Sequence, residues 1–290
     1  MEKVSAIITT HNRADLLKRS IESVLNQTYK NLECIVVDDN STDNTREVCN
    51  QFPVNYIYIP KEETRGGNYA RNLGIKAASG DYCAFLDDDD YWLPEKIEKQ
   101  VKMAEEKDCE LVYCGMRLEI IKKEGIIYED KLPSPSASGD MSKLILQFIA
   151  TTTSCILCKK QALIEVGLFD EELKFWQEYE LTIRLAQRSP FYFVNEPLIV
   201  YRLNQQDSNR LTNKYFEWLT AVDYIHHKHE ALYSQLSLQG KARAKYLKWA
   251  DAAQRCDSAG LLCRKVYYKL LMTPFELIAR TRKIVRNDTK

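Results

Sequence analysis

The chain has 290 residues, 45% of them hydrophobic, with 17 Tyr and a formal net charge of +0. That length and composition fit one large packed domain, or one domain with an appendage, rather than a disordered chain. No basic start leads into an apolar run as in a signal peptide, no window approaches the ~18 apolar residues of a membrane span, and nine scattered Cys fit a reduced cytoplasmic protein rather than a disulfide scaffold.

The β-branched run Val4-Ser5-Ala6-Ile7-Ile8-Thr9-Thr10 predicts a buried parallel strand. After a turn at Thr10-His11-Asn12-Arg13, Leu17, Ile21, Val24 and Leu25 recur at helical spacing on one amphipathic face. A second strand, Leu32-Glu33-Cys34-Ile35-Val36-Val37, ends in Asp38-Asp39-Asn40-Ser41-Thr42-Asp43, whose short polar side chains suit a turn and a helix cap before a helix at 45–52. Asn55-Tyr56-Ile57-Tyr58-Ile59 reads as a third strand, and a helix at 69–78 follows the loop Thr64-Arg65-Gly66-Gly67-Asn68. A fourth strand, Cys83 to Leu86, runs into Asp87-Asp88-Asp89-Asp90. Further strands are expected at 110–115, 117–121, 191–194 and 198–201, a mobile Pro/Ser-rich loop at 133–139, helices at 162–166 and from Phe175, and a helical tail from Tyr215. Cys155-Ile156-Leu157-Cys158 has CxxC spacing but no second pair, and reads as buried strand.

Alternating strands and helices argue for an α/β fold with a mostly parallel sheet, and ligands of such sheets bind outside the carboxyl ends of the strands. Thr9-Thr10, Asp38-Asp39 and Asp87 to Asp90 all fall at those ends. Adjacent carboxylates repel, so the last cluster persists most easily around a cation, and hard oxygen donors suit Mg2+ or Mn2+ shared with substrate phosphates. A solvated acidic turn is the plain alternative. An EF-hand lacks its alternating spacing, turn glycine and closing Glu.

Four of these segments, Ser5 to Arg13, Val36 to Asp43, Ala70-Arg71-Asn72-Leu73-Gly74-Ile75 and Phe85 to Asp90, resemble, in order, the motifs of family 2 glycosyltransferases over residues 3–205. The resemblance implies a GT-A (Rossmann-like) fold, with residues 1–110 as the nucleotide-sugar half, 111–205 as the acceptor half and 206–290 as a helical basic appendage. It implies nucleoside contacts from Thr9 and Asp39, with Asp39 accepting from a uracil imide. Arg65 and Arg71 become donor-side cations, Asp87 and Asp88 face the ribose, Asp89 holds the metal and Asp90 stands behind it, with the register open by one residue. The implied activity is inverting transfer from a nucleotide-diphospho-sugar, UDP-linked in preference, to an acceptor hydroxyl.

The family's later acidic motif matches Phe175-Trp176-Gln177-Glu178-Tyr179-Glu180-Leu181-Thr182-Ile183-Arg184-Leu185. Glu178 shares a helical face with Leu181, Thr182 and Leu185, whereas Glu180 precedes Arg184 by the four residues of a surface ion pair. Glu178 is therefore the expected base and Glu180 the structural one. Where many relatives follow Tyr-Arg with a metal- or diphosphate-binding His, this chain has Tyr201-Arg202-Leu203-Asn204. A nucleotidyltransferase lacks its glycine-rich phosphate loop between Thr9 and Arg13, and a non-catalytic nucleotide-sugar or glycan-binding module remains the rival that Asn204 favours and Glu178 opposes.

Residues 206–290 carry 16 Lys/Arg against 8 Asp/Glu, and residues 1–205 carry 25 against 33. Basic, aromatic and apolar residues alternate across 261–285, which suits either an interfacial helix on an anionic membrane or a packed helix with a solvated face; Pro274 is expected to kink or split it. With the resemblance, the membrane option implies a polyprenyl-linked glycan acceptor for a bacterial surface polysaccharide on the inner face of the plasma membrane. Nothing beyond the basic tail suggests nucleic acid.

Overall fold

The computed structural model describes residues 2–204 and 214–287, with side chains through Phe275. Two compact units emerge: Met1–Ser142 with Ile149–Gln206, and Lys143–Phe148 with Asp207–Lys290.

In the first unit, nine described strands form one sheet in the order β3-β2-β1-β4-β8-β6-β9-β5, with β7 paired to β6. The strands β1 (Val4–Thr10), β2 (Leu32–Asp39), β3 (Asn55–Ile59) and β4 (Tyr82–Asp87) pair in parallel. The central strands are covered on both faces, so β1 and β4 read as unbroken apolar runs rather than alternating ones. Helix α1 (Ala14–Leu25) buries Leu17, Ile21 and Val24 as its spacing predicts. Leu25, one residue and therefore ~100° round from Val24, is 37% exposed. Helix α2 spans Thr45–Cys49, and α3 (Gly67–Ala77) lies so close to the sheet that a Cβ on Gly74 would sit 2.5 Å from Ile7 Cγ2.

Beyond β4, the short β5 (Tyr91–Trp92) is followed by α4 (Lys96–Lys107), and β8 (Leu157–Lys159) joins β4 to β6 by antiparallel pairing on both sides. Two pairs of predicted short strands turn out to be single long ones. These are β6 (Leu111–Lys122) and β9 (Phe191–Asn204), which run parallel with a register shift on either side of Gly115. The shift fits Gly115, where a Cβ would meet Glu196 O, Lys131 O and Leu132 at 2.9 Å, and Pro197, which strands tolerate at bulges. The hairpin strand β7 (Gly125–Lys131) was not foreseen in the sequence; every residue in it is exposed. The loop at 133–139, expected to be mobile, is fastened: Ala137 is buried and accepts from Tyr113 Oη, and Gly139 bridges Phe191. Helices α5 (Lys160–Glu165) and α6 (Gln177–Leu185) complete the unit. All nine Cys are free, and Cys155 and Cys158 are buried at the approach to β8 and within it.

The second unit comprises α7 (Tyr215–Lys228), α8 (Glu230–Ser234), α9 (Leu238–Ser258) and α10 (Leu262–Asn287). Its core centres on Trp218 and Tyr215, with Arg255 5.3 Å from the Trp218 ring and Tyr215 Oη 2.7 Å from Tyr268 Oη. Ser237 caps α9 by accepting from the Gly240 N–H at 3.1 Å. Helix α10 continues through Pro274 without splitting. The residues Leu277, Ile278, Arg280, Arg282, Lys283 and Arg286 of its expected amphipathic face lie beyond the described side chains.

His226 stacks on Tyr233 at 4.3 Å, and burial, then Lys248 and His229 against the opposing Asp223, pull its pKa down to about 4 from 6.5. The folded chain therefore binds fewer protons at this ring than the unfolded chain does between those values, and stability falls as pH drops through that window. A loss on the order of 1–3 kcal/mol is expected. It should be visible in thermal melts between pH 7 and pH 4 and reduced in His226→Phe, which keeps the ring stack but cannot titrate.

Candidate active site

The strand ends deliver the three polar clusters to one edge, because the register sets Thr10 beside Asp38 and Thr9 beside Asp87. Thr9 is half-buried there. Asp38 is buried and structural: Oδ1 accepts from the Ser41 N–H at 2.8 Å and Oδ2 from Tyr56 Oη at 2.6 Å. Asp39 differs. Its Oδ1 is buried with no hydrogen-bond partner among the described residues, and the Gly66 N–H lies near enough to the carboxylate to favour its charged form. Gly66 reaches it from a φ of +91°, a conformation open to glycine at little cost. Burial raises the Asp39 pKa, with the His11 ring opposing and Asp38 adding to the rise. A buried acceptor without a donor is costly, and it points to a ligand N–H or O–H.

At the end of β4 the four aspartates alternate in direction. Asp87 and Asp89 are half-exposed, each with 34% of the side chain accessible, while Asp88 and Asp90 are 4% and 1% exposed. Asp88 turns inward, accepting from Thr10 Oγ1 at 2.8 Å and Arg13 Nη1 at 2.9 Å. Asp90 accepts from Ser154 Oγ at 2.7 Å and the Arg202 N–H at 3.1 Å, and burial followed by Asp89 and Asp87 holds its pKa well above the carboxylate range. Ser154 Oγ also accepts from the Asp87 N–H at 3.1 Å, and Ser20 Oγ lies 2.8 and 2.6 Å from the carbonyls of Asp88 and Asp90. These bonds lock the turn, so the two outward carboxylates are held in place.

Arg71 belongs to this cluster: it is buried, and its Nη2 donates to Asp87 Oδ1 at 2.7 Å while Nη1 donates to Asn68 Oδ1 at 3.1 Å. Arg65 does not. Its side chain is 65% exposed, 3.9 Å from Glu171 and 5.0 Å from the Tyr69 ring. Burial, then Asp87 and Asp88, lift Asp89 to about 6, with Arg13 opposing. Such crowded negative charge with hard oxygen donors suits Mg2+ or Mn2+. No group of three potential ligands is gathered among the described residues. The donor set thus fits a cation that takes one or two carboxylates and completes its shell from diphosphate and water.

Glu178 and Glu180 have opposite settings on α6. Glu180 is fully buried, with Arg184 Nη2 at 2.6 Å and Nε at 3.0 Å, so its ion pair with Arg184 is an internal brace rather than a surface one. Glu178 is half-buried and near Tyr201, whose hydroxyl is pushed up by burial and then by the charges of Asp90, Asp87, Asp89 and Glu178. One tyrosine thus feels both the aspartate turn and Glu178. Removing one partner of a buried pair typically costs about 3–5 kcal/mol. Glu180→Gln should therefore lower the melting temperature sharply, while Glu178→Gln leaves it near the parent value.

Three participants had no role in the sequence reading. Arg13 was part of a quoted motif, but nothing in its position alone pairs it with residues 75 and 76 further on. Ser154 sits in a run of small polar residues that resembles an ordinary loop. Trp176 enters α6 with a φ of 54°, costly for a bulky residue, and is fixed by an edge-on contact with Tyr179 at 5.2 Å. Asn204 ends β9, exposed.

The sheet thus carries an unpartnered carboxylate oxygen and an acidic turn side by side at the carboxyl edge of its parallel strands. The family model described as "Glycosyl transferase family 2" matches residues 5–169. The chain belongs to that family. It is 38% identical over 215 residues to the putative teichuronic acid biosynthesis glycosyltransferase TuaG of Bacillus subtilis, covering 71% of this chain and 82% of that one. It is 41% identical over 120 residues to the UDP-Glc:alpha-D-GlcNAc-diphosphoundecaprenol beta-1,3-glucosyltransferase WfaP of Escherichia coli, covering 41% and 48%. The mannosyltransferase PcManGT of Pyrobaculum calidifontis, solved with GDP-Man and Mn2+, superposes with a TM-score of 0.61 at 16% identity, over 96% of this chain and 80% of that one. The fold is GT-A.

Proposed function

We propose that the protein transfers a sugar from a UDP-sugar to a hydroxyl of a lipid-linked glycan, with inversion at the anomeric carbon. The observation that carries the donor reading is the orphaned Asp39 Oδ1 on the same sheet edge as the outward pair Asp87 and Asp89. A uracil ring offers one imide N–H, which matches a single buried acceptor. Thr9 lies between the two clusters and suits a nucleoside contact, and Arg71 holds Asp87 from behind. WfaP, by its name a user of UDP-Glc and a diphosphoundecaprenol acceptor, supports the choice of donor and acceptor class. Loss of one hydrogen bond to a charged group costs about 1.5–3 kcal/mol, so Asp39→Ala should weaken UDP binding roughly 10–100-fold in calorimetry. GDP binding as tightly as UDP to the parent protein would contradict the base assignment.

Asp89 would hold a divalent cation, Mn2+ or Mg2+, with Asp87 alongside, and the cation when bound would neutralise charge gathering on the leaving diphosphate. Glu178 accepts the proton of the acceptor hydroxyl as its oxygen attacks the anomeric carbon. The bond from that carbon to the diphosphate oxygen breaks on the opposite side, and UDP departs with the electron pair. One displacement inverts the centre. The locked turn orients the diphosphate side, and the α6 brace of Glu180 on Arg184 keeps Glu178 in place on the acceptor side.

For the acceptor, the exposed stripe of α10 supports a membrane surface. Leu262, Val266, Tyr267 and Leu270 are 67%, 49%, 58% and 67% exposed, on a helix that also carries Arg264, Lys265 and Lys269. No helix among the described residues is long and apolar enough to cross a bilayer, so α10 would lie on an anionic cytoplasmic leaflet. Flotation with phosphatidylglycerol vesicles should show binding that weakens with salt and with Leu262→Glu/Leu270→Glu. Binding indifferent to both would remove this support.

A further inference from the structure

The four carboxylates of the acidic turn are neutralised in two ways. The inward pair is served by Thr10 and Arg13 at Asp88, and by Ser154 and a backbone N–H at Asp90. Each outward carboxylate carries one guanidinium: Arg71 on Asp87 and Arg13 on Asp89. These arginines are not equivalent. Arg71 keeps 10% of its side chain accessible, is tied to Asn68 and lies 5.7 Å from the Phe169 ring, so it is built in. Arg13 is 47% accessible and is held by a single nitrogen, Nη1, placed 2.9 Å from Asp88 Oδ1 and 3.0 Å from Asp89 Oδ2. Asp88 keeps its Thr10 bond without Arg13; Arg13 is the side-chain donor that Asp89 has among the described residues.

We propose that Arg13 is an exchangeable counter-ion: it occupies Asp89 in the unloaded protein, is displaced when a divalent cation arrives, and moves onto the donor diphosphate. The inference rests on the metal-assisted donor reading above. A dication that takes Asp89 Oδ2 competes with the guanidinium held on that oxygen and is repelled by it, so metal entry there displaces Arg13. A guanidinium leaving Asp89 keeps only its contact with Asp88, so the metal must displace an ion pair. With a nucleoside diphosphate bound, Arg13 gains an anion in exchange. Metal and nucleotide therefore favour one another's binding, reciprocally and by the same factor, and Arg13 is the positioning residue that carries the coupling.

The test is calorimetric titration of Mn2+ into the full chain, with and without UDP, for the parent protein, Arg13→Gln and Arg13→Lys. Releasing a half-exposed ion pair and the repulsion behind it should tighten Mn2+ binding to UDP-free Arg13→Gln by about 3–10-fold. The factor by which UDP improves Mn2+ binding should shrink correspondingly. Because one nitrogen makes both contacts, the point charge of Arg13→Lys can replace it, and that variant should behave as the parent does. Equal or weaker Mn2+ binding in UDP-free Arg13→Gln, with the UDP enhancement intact, would overturn the counter-ion role while leaving the donor site standing. No UDP-enhanced Mn2+ binding in the parent protein would overturn both.

Discussion

Glu178→Gln is expected to lower turnover by ~10²–10⁴-fold, the usual contribution of a positioned general base, with UDP affinity unchanged within about twofold. The amide keeps the size and the half-buried setting of the side chain but cannot accept the acceptor's proton. Glu178 stands on α6, whereas the proposed donor contacts lie at the ends of β1, β2 and β4. The comparison that gives the result meaning is Glu180→Gln. Glu180 is fully buried on Arg184, so its loss acts through stability. Initial rates, calorimetry and melting curves on both variants separate the roles: Glu178→Gln inactive, folded and nucleotide-competent, Glu180→Gln destabilised. Activity retained in a well-folded Glu178→Gln would move the base elsewhere.

Asp89→Ala is expected to abolish the part of UDP binding that depends on Mn2+ and to reduce turnover to background, while metal-free UDP binding survives. Asp88 provides the internal contrast. Both oxygens of its carboxylate are engaged, with Thr10 and Arg13, so Asp88→Asn should disturb the turn and the melting temperature more than it disturbs the metal contact. Asp87 stands between these cases, outward yet paired with Arg71. Mn2+-dependent UDP binding that persists in Asp89→Ala would shift the metal contact to Asp87.

Much of this architecture is legible in the residues themselves. The runs of β1, β2 and β4 are apolar on both faces, the α1 stripe is helical in period, and the polar residues following the strands mark the functional edge. The alternation of the acidic turn was not legible, since β4 ends at Asp87 and the inward setting of Asp88 and Asp90 depends on Thr10, Arg13 and Ser154. What local pattern does not carry is long-range. Gly115 looks like a strand terminator but admits the Glu196 and Lys131 carbonyls, so 110–115 and 117–121 are one strand. The exposed β7 has no buried face and so no periodicity to read. Glu180 has the spacing of a surface pair, and only the packing around α6 makes it an internal one. Arg13 and Ser154 acquire their roles from residues more than sixty positions away.

The central claim, a metal-assisted UDP-sugar site at the carboxyl edge of the sheet, is tested most directly by titrating UDP into the parent protein with and without Mn2+. UDP is expected to bind in both cases, distinctly tighter with Mn2+, and GDP to bind more weakly. UDP binding that ignores Mn2+ would contradict the role of Asp89. Absence of UDP binding under either condition would contradict the donor site itself.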